Sequence, residues 1–338
     1  MKPRVVLLND TATRYHHGCS SVMDAIVRGL ESRDLRVTAR SPARHDWETD
    51  ASFLDHLGAA DLVVVNGEGT LHHGAAAGER LLRVAGHPAA ARARVALINA
   101  LYHANQPEWS AALKRFDLLA ARDSASAREL EVQSEMAVTW LPDLSLTTAA
   151  PSAAAMRHGV LIGDAVRLAQ RKHLLSAFER YPDATFLPTK TLRQAVFQKP
   201  GLARFSRALV FGPYMGRPLA RPPRFEMPVD VAGYLNALSG AALHITGRFH
   251  GVCLSLVTRT PFLAVTSTSG KIEKLLHDLG LGTGRIIDAA KIAGLSRDPS
   301  AYAFSPEDAA QIDRALADAR TRADGLFDAL ATLARETQ

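Results

Sequence analysis

Two basic residues and one histidine lie within one strand–turn–helix run in the second half of the chain. The sequence predicts a strand over residues 242–246, a turn that contains Arg248 and His250, and a helix from about Val252. After a further strand, Lys271 lies in the first turn of the next predicted helix. A cation at a helix N-terminus is mildly unfavourable for the helix itself. Backbone N–H groups, the helix dipole and fixed cations together attract an anion. The pattern therefore predicts an anion-binding site; a solvated surface position is the alternative for each cation taken alone.

Polar residues also follow successive predicted strands of the first half, at the points where those strands end. This set of acids, amides, histidines and arginines comprises Asn9, Asp10, Arg14, His16, His17, Asn66, Glu68, His72, His73, Asn99, His103, Arg122, Asp123 and Asp143. The carboxyl ends of parallel strands meet at one edge of a sheet, where α/β proteins bind ligands. We therefore expect a polar rim there. Helix capping by Asp123 and a tight turn at Gly67 and Gly69 are the structural alternatives.

Several catalytic templates are missing from the sequence. It contains neither GxxxxGK[ST] nor GxSxG, and residues 66–71 do not match GxGxxG, which disfavours P-loop ATP hydrolysis, α/β-hydrolase chemistry and dinucleotide oxidoreduction. The adjacent pairs His16/His17 and His72/His73 are not spaced as HExxH, and neighbouring side chains point in different directions. Cys19 and Cys253 are the only cysteines. We therefore predict no metal, no cofactor and no disulfide framework.

Length and composition indicate a globular protein with more than one domain. The chain has 338 residues, of which 47% are hydrophobic and 22% charged. The apolar run at the N-terminus is too short for a signal peptide or a membrane span, so the sequence predicts a cytoplasmic protein.

A basic segment lies between residues 184 and 225, where no acidic residue occurs. Its cations are Lys190, Arg193, Lys199, Arg204, Arg207, Arg217, Arg221 and Arg224. Such a segment can face the inner surface of a membrane, a polyanionic acceptor or nucleic acid, or be a solvated surface. No nucleic-acid-binding motif accompanies it, so nucleic acid is disfavoured as a partner.

Strand-length apolar runs alternate with helical patterns along the whole chain. The predicted strands are residues 4–9, 36–41, 61–66, 94–99, 117–121, 137–141, 159–163, 184–187, 208–211, 242–246, 261–266 and 285–287. Near-continuous apolar strands separated by helices are typical of parallel sheets with both faces covered. An aperiodic linker at residues 146–157 separates a first domain, 1–145, from a second, 157–300. A helix over 305–338, capped by Ser305, can pack back on the first domain. We therefore predict an α/β fold of two Rossmann-like domains with parallel sheets facing a cleft.

These residues resemble the polysaccharide pyruvyl transferase family. The strongest match is the Arg-x-His block within residues 245–251, followed by the strand 261–265 and then Lys271. Residues 122–124 and 142–143 match as well, and the order of motifs runs from about residue 4 to 288. The resemblance implies a fold like that of two-domain GT-B glycosyltransferases. It also implies transfer of pyruvate from phosphoenolpyruvate to two hydroxyls of a sugar, as a ketal.

The resemblance also implies roles for the residues that bind and activate the donor. Arg248 and Lys271 would hold the phosphate and carboxylate of the donor, with Arg122 as a further anion contact. His250 would act as the general acid. Because Arg248 would contact ligand rather than core, its removal is expected to spare the fold.

The acceptor side of the implied site would use the polar rim. Asp10 or Glu68 would accept a proton from the acceptor hydroxyl. The expected acceptor-binding residues are Asn9, His17, Asn66, His72, Asn99 and His103. The implied partners are an anionic donor and a sugar or glycan acceptor, free or lipid-linked, with peripheral contact to the inner membrane face in the lipid-linked case. The sequence does not predict an oligomeric state.

Two departures from the family pattern keep alternatives open. Glu68 stands between Gly67 and Gly69, and the first loop reads Asn9-Asp10 rather than a Gly-Asn-x-Gly-Asp form. A carboxylate that faces an anionic donor repels it unless the carboxylate contacts the acceptor. The alternative is a GT-B-type glycosyltransferase that uses a nucleotide-activated, acidic or neutral sugar, with a carboxylate as base or nucleophile and the cations on the nucleotide phosphates. A non-catalytic protein that binds a polyanion or a membrane is the third interpretation.

Overall fold

The structure is a computed structural model that describes residues 1–152, 156–190, 224–265 and 270–337. Within these ranges the strands are β1 Arg4–Asp10, β2 Arg36–Pro42, β3 Leu62–Asn66, β4 Arg94–Ala100, β5 Leu118–Ala121, β6 Val138–Trp140, β7 Val160–Ala165, β8 Thr185–Phe186, β9 Arg224–Phe225, β10 Leu243–Gly247, β11 Phe262–Val265 and β12 Ile286–Ile287. The α-helices of the same ranges are α1 His17–Glu31, α2 Ala51–Gly58, α3 Ala76–Leu82, α4 Ser110–Leu113, α5 Ser124–Ser134, α6 Leu168–Arg180, α7 Val231–Gly240, α8 Phe249–Val257, α9 Lys271–Asp278 and α10 Pro306–Arg335.

Contacts divide the chain into two compact units. The first consists of Met1–Arg14, Val22–Thr147 and Ala317–Gln338, and the second of Tyr15–Ser21 and Thr148–Leu316. This division differs from the boundaries predicted from sequence in that Tyr15–Ser21 groups with the second unit. That short segment carries two histidines and a cysteine, and it becomes part of the site described below.

The first unit is built on a six-stranded parallel sheet of order β2-β1-β3-β4-β5-β6. The chain places β2 on one side of β1 and β3 on the other, so the direction of winding reverses between β1 and β3. Ligands of open α/β sheets bind outside the carboxyl ends of the strands at such a reversal. The reversal therefore marks the ends of β1 and β3, where Asn9, Asp10, Asn66 and Glu68 stand, as the candidate site of this unit.

Both faces of the first sheet are covered by apolar side chains. Alternate residues of β1 point to opposite faces. Val6 and Leu8 belong to one buried cluster, whereas Val5 and Leu7 belong to another that includes Phe327 of α10. Near-continuous apolar strands are the sequence pattern that this two-sided burial requires.

The second unit is built on another parallel sheet, of order β12-β11-β10-β7-β8-β9. When the described strands are numbered from β7, their order is the 3-2-1-4-5-6 order of dinucleotide-binding sheets, with the reversal between β7 and β10. A buried cluster that includes Ile162, Ile245 and Phe178 of α6 packs one face. The candidate site of this unit therefore lies at the ends of β7 and β10.

The prediction of an α/β fold with two Rossmann-like domains built on parallel sheets is confirmed. The predicted strand at residues 208–211, like most of the basic segment, lies outside the described residues. Strand β9 was missed because its two residues lie in a Pro- and Arg-rich stretch without apolar alternation. In the described ranges, no helix combines the length and the apolarity needed to cross a bilayer.

Two predicted helix starts have different outcomes. The start of α8 was placed three residues too late: the helix begins at Phe249, because Arg248 is extended (φ −105°, ψ 131°) and forms its N-cap. The start of α10 is confirmed, since the Ser305 hydroxyl accepts a hydrogen bond from the Asp308 N–H at 3.1 Å.

Candidate active site

The turn from β10 to α8 holds Arg248 and His250 at the reversal of the second sheet. β10 ends at Gly247, where an added Cβ would lie 2.6 Å from the Cβ of Ala165 at the end of β7. The absence of a side chain there lets the two strand ends approach closely. Arg248 follows as N-cap, and His250 lies in the first turn of α8 with 7% of its surface exposed.

Arg248 forms an ion pair with Asp164, which lies in β7. The guanidinium Nε and one terminal nitrogen donate to Oδ2 of Asp164 at 2.8 and 2.5 Å. The other carboxylate oxygen, Oδ1, accepts from the N–H of Thr189 at 2.9 Å. The side chain of Asp164 has no exposed surface, and that of Arg248 is 12% exposed. The sequence-based expectation that Arg248 can be removed without effect on the fold does not fit this pairing, because the change would remove a cation that pairs with a buried carboxylate.

The segment Tyr15–Ser21 is fixed against the second sheet by its backbone. Tyr15 has a left-handed conformation (φ 54°), His16 pairs with Lys190 in an antiparallel bridge, and the His17 N–H donates to the Thr189 carbonyl at 3.0 Å. These contacts hold the start of α1 in place. They also determine where the side chains of the two adjacent histidines point.

The side chains of His16 and His17 diverge, as the sequence argument on adjacent residues expected. His17 stacks on Tyr234 with ring centroids 4.6 Å apart. The ring of His16 instead approaches that of His250, at 5.3 Å between centroids. Gly18 lies directly against His250: an added Cβ would be 2.1 Å from the imidazole Cγ. A glycine is therefore required at position 18 for His250 to occupy its place.

Burial keeps the neighbouring histidines neutral. It lowers the pKa of His17 and of His244 to about 4, with nearby Asp164 opposing the shift in both cases. Burial also holds the pKa of His16 well below its ordinary value, and electrostatic interactions with His250 and Arg248 lower it further. Burial therefore favours the neutral form of all three imidazoles.

Lys271 is the first residue of α9, and its side chain is half-buried. It follows Gly270, whose left-handed conformation (φ 60°) favours glycine. The preceding strand, β11, is the neighbour of β10 in the sheet. The two cations and the histidine predicted from sequence thus follow two adjacent strands of the second unit.

The predicted carboxylates Asp10 and Glu68 lie at the reversal of the first sheet. Asp10 pairs with Arg40 at 2.9 Å, and its Oδ1 accepts from the N–H of Ala12 at 3.0 Å. Glu68 is 3% exposed and accepts a hydrogen bond from the Thr11 hydroxyl at 2.5 Å. Both carboxylates are held in place, but neither is assigned a role by its contacts alone.

The three asparagines of the rim are buried and bind the strand ends. Asn9 donates to the Asn66 carbonyl at 2.6 Å, and the side-chain oxygen of Asn66 accepts from the Glu68 N–H at 3.2 Å. Asn9 and Asn99 have left-handed backbones (φ 62° and 51°) where the pairing registers of β1 and β4 shift. The side-chain oxygen Oδ1 of Asn99 accepts a hydrogen bond from the Leu144 N–H at 3.2 Å. These amides organise the rim, and their contact with an acceptor stays a prediction.

Arg122 and Asp123, which follow β5, also have internal partners. Arg122 forms a buried ion pair with Asp143 at 3.1 Å. Asp123 caps α5 by accepting from the Ser126 N–H at 2.7 Å, which is the capping alternative noted from sequence. Arg122 therefore binds a carboxylate of its own unit, and its contact with the donor stays a prediction.

Three histidines that follow β3 and β4, namely His72, His73 and His103, form a group in the first unit. His72 and His103 are joined by a β-bridge, and the exposed His103 pairs with Glu129 at 2.7 Å. The ring of His73 lies 5.4 Å from His72 and 5.6 Å from His103. The structure thus brings together His72 and His103, which stay candidates for acceptor binding.

Sequence reasoning missed Asp164 and the grouping of His16 and Cys19 with His250. An acid that directly follows the apolar start of a strand is a signal for Asp164, by the same strand-end argument that selected Asp10. No local pattern links Cys19 with His250, because they lie on different helices and meet only in the folded second unit.

The family model for polysaccharide pyruvyl transferases matches residues 16–269, which is most of the chain. The chain belongs to the polysaccharide pyruvyl transferase family. Glu68, Arg122, Arg248 and His250 lie inside the matched range, whereas Lys271 lies just beyond its end. Family membership supports a transferase. A search of curated proteins finds no significant match.

Two solved structures illustrate the fold that this family member shares with other proteins. The S. aureus MnaA–UDP co-structure is 11% identical, with a TM-score of 0.53, 92% of this chain covered and 94% of the other. The UDP-GlcNAc 2-epimerase from Neisseria meningitidis, bound to UDP-GlcNAc, is 10% identical with a TM-score of 0.50, and the match covers 94% and 100% of the two chains. At this identity the likeness concerns the fold, which is of the GT-B-like kind.

Proposed function

We propose that this member of the pyruvyl transferase family transfers pyruvate from phosphoenolpyruvate to two hydroxyls of a sugar in a cell-surface polysaccharide or its precursor. The product is a ketal, and inorganic phosphate is released. The observation that carries the proposal is the family match over a range that contains Arg248 and His250 at the reversal of a Rossmann sheet. This is the edge at which α/β sheets bind ligands.

The reaction needs two proton transfers that balance. One acceptor hydroxyl loses a proton and adds to the central carbon of the enol, while the methylene carbon gains a proton and becomes a methyl group. The second hydroxyl then replaces the phosphate, and its proton leaves with the phosphate. His250 is proposed as the acid that protonates the methylene carbon, because an imidazole can donate and regain a proton near neutral pH.

The donor carries a phosphate and a carboxylate, which require positive potential. Lys271 and the N-terminus of α9 supply it after β11, and the N-terminus of α8 supplies it after β10. Asp164 balances the charge of Arg248 and orients the plane of its guanidinium. We therefore assign Arg248 an orienting contact with the donor and Lys271 a charged contact with its phosphate or carboxylate.

The acceptor hydroxyl needs a base, for which Glu68 and Asp10 are proposed as candidates. Each carboxylate is held at the end of a strand beside the reversal of the first sheet. A fixed carboxylate positions a hydroxyl and takes up its proton without reorganisation. Glu68→Gln and Asp10→Asn, assayed separately, distinguish the two: the base variant loses kcat by about 10²–10⁴-fold, and the other retains it.

The test is to incubate the protein with phosphoenolpyruvate and a panel of free and lipid-linked glycans. We expect release of phosphate and a product whose mass has increased by pyruvate less water. His250→Gln should abolish both, whereas His277→Gln, at an exposed position of α9, should retain both.

A parallel arm tests the glycosyltransferase alternative with UDP-, GDP- and CMP-linked sugars in place of phosphoenolpyruvate. A ligand at a hundred times its dissociation constant stabilises the folded state by about 2.7 kcal/mol, which a thermal melt detects. Stabilisation by a nucleotide sugar and none by phosphoenolpyruvate would contradict the proposed donor.

A further inference from the structure

We propose that His16, Cys19 and His250 form a binding site for a divalent cation of the zinc class. One ligand atom from each of these residues lies within 4.8 Å of the other two, and all three residues are buried. They are brought together inside the second unit. The proposal goes beyond pyruvyl transfer and does not depend on it.

The backbone positions the three side chains as a metal site requires. His16 and Cys19 are three positions apart, and the Ser20 N–H donates to the His16 carbonyl at 2.9 Å, so the two residues share one helical turn at the start of α1. The bridge between His16 and Lys190 fixes that turn. The third ligand, His250, comes from α8.

Gly18 makes the approach of the third ligand possible. An added Cβ at this residue would lie 2.1 Å from Cγ and 2.2 Å from Cβ of His250. The imidazole of His250 thus occupies the space that any other residue at position 18 would fill. This close contact keeps His250 beside His16, with their rings 5.3 Å apart.

The donor set determines the class of ion. One thiolate and two imidazoles suit zinc and its spectroscopic substitute cobalt(II), whereas magnesium and calcium take oxygen ligands. Three protein ligands leave one tetrahedral position open, as in catalytic rather than structural zinc sites. Binding replaces the thiol proton of Cys19 by the metal, and the proton is released to solvent.

Ion binding and the proton transfer proposed for His250 are distinct states of this side chain. An imidazole nitrogen that binds a cation cannot carry a proton at the same time. The test of the cation site therefore measures metal binding directly. Its result does not depend on whether the protein forms ketals.

The experiment uses the full chain, free of any affinity tag and made metal-free with a chelator, and titrates it with cobalt(II). We expect one equivalent to bind, with a thiolate-to-cobalt charge-transfer band in the near ultraviolet and tetrahedral bands in the visible. Added zinc(II) should displace the cobalt and remove both sets of bands.

Cys19→Ala should lose the charge-transfer band. The matched control is Cys253→Ala, because Cys253 is the only other cysteine of the sequence, is also buried and lies in α8. The Cys253→Ala variant should keep the charge-transfer band. His16→Ala should weaken cobalt binding by about tenfold or more. Thermal melts of the metal-free variants establish that each is folded. Absence of the band in the folded wild-type chain, or its persistence in Cys19→Ala, would overturn the proposal.

Discussion

Breaking the ion pair between Arg248 and Asp164 is expected to destabilise the second unit. Arg248→Ala removes a cation that pairs with the carboxylate of Asp164, which has no exposed surface. Removal of one partner from a buried pair typically costs about 3–5 kcal/mol, because the desolvated charge is no longer compensated.

A double-mutant cycle combines Arg248→Ala with a second substitution, Asp164→Asn. This second substitution keeps the shape of the side chain and removes its charge. Arg248 is partly exposed, so water can reach part of its guanidinium, and the expected cost is about 1–3 kcal/mol. In the double variant no buried charge lacks a partner. Its loss should therefore be smaller than the sum of the two single losses by about 1–3 kcal/mol.

The assay is urea unfolding followed by circular dichroism for the wild type, both single variants and the double variant. With a slope of about 2–3 kcal/mol/M, Arg248→Ala should lower the midpoint by about 1–2 M. Lys291→Ala is the control, because Lys291 and Asp288 form an exposed pair in the same unit. Such pairs contribute about 0–1 kcal/mol.

An unchanged midpoint in Arg248→Ala, or strictly additive losses in the double variant, would refute this reasoning. Those results would mean that the two charges are solvated in the folded protein. The original expectation, that Arg248 serves only a ligand, would then be the better description.

Three further predictions concern buried and close-packed positions. Burial lowers the pKa of His244 from 6.5 to about 4, so the folded state binds a proton less readily than the unfolded state and loses stability as the pH falls through this range. Between pH 6.5 and pH 4 the free energy of unfolding should therefore fall by about 3 kcal/mol more in the wild type than in His244→Gln, as measured by urea unfolding at each pH. Gly18→Ala should displace His250 and lower turnover by about 10²-fold under the proposed function, and an active variant with an unshifted melt would contradict the contact. Gly325→Ala, where an added Cβ meets nothing within 4 Å, should instead stabilise α10 by about 0.5–1 kcal/mol, and a lowered melting temperature would count against the packing described.

Much of the fold follows from local patterns that the sequence shows directly. Apolar runs such as Leu62–Asn66 predict buried parallel strands, because strands covered on both faces need apolar side chains throughout. The helix cap at Ser305 depends on residues within one turn and was predicted for the same reason. The side chains of the adjacent residues His16 and His17 were expected to point in different directions, because neighbouring residues of a helix or strand do so.

The interactions at the candidate site depend on strand order, which no local pattern encodes. Arg248 and Asp164 are 84 residues apart and meet because β10 pairs with β7. Cys19 and His250 meet because the start of α1 packs within the second unit. The sequence by itself determined the parallel α/β architecture and the residues at the strand ends, since these depend on short-range periodicity, and the resemblance of the Arg-x-His block indicated the family. Only the tertiary structure decided which of those residues pair with one another, because contacts between distant segments arise from the pairing order of the strands and the packing of the helices on them.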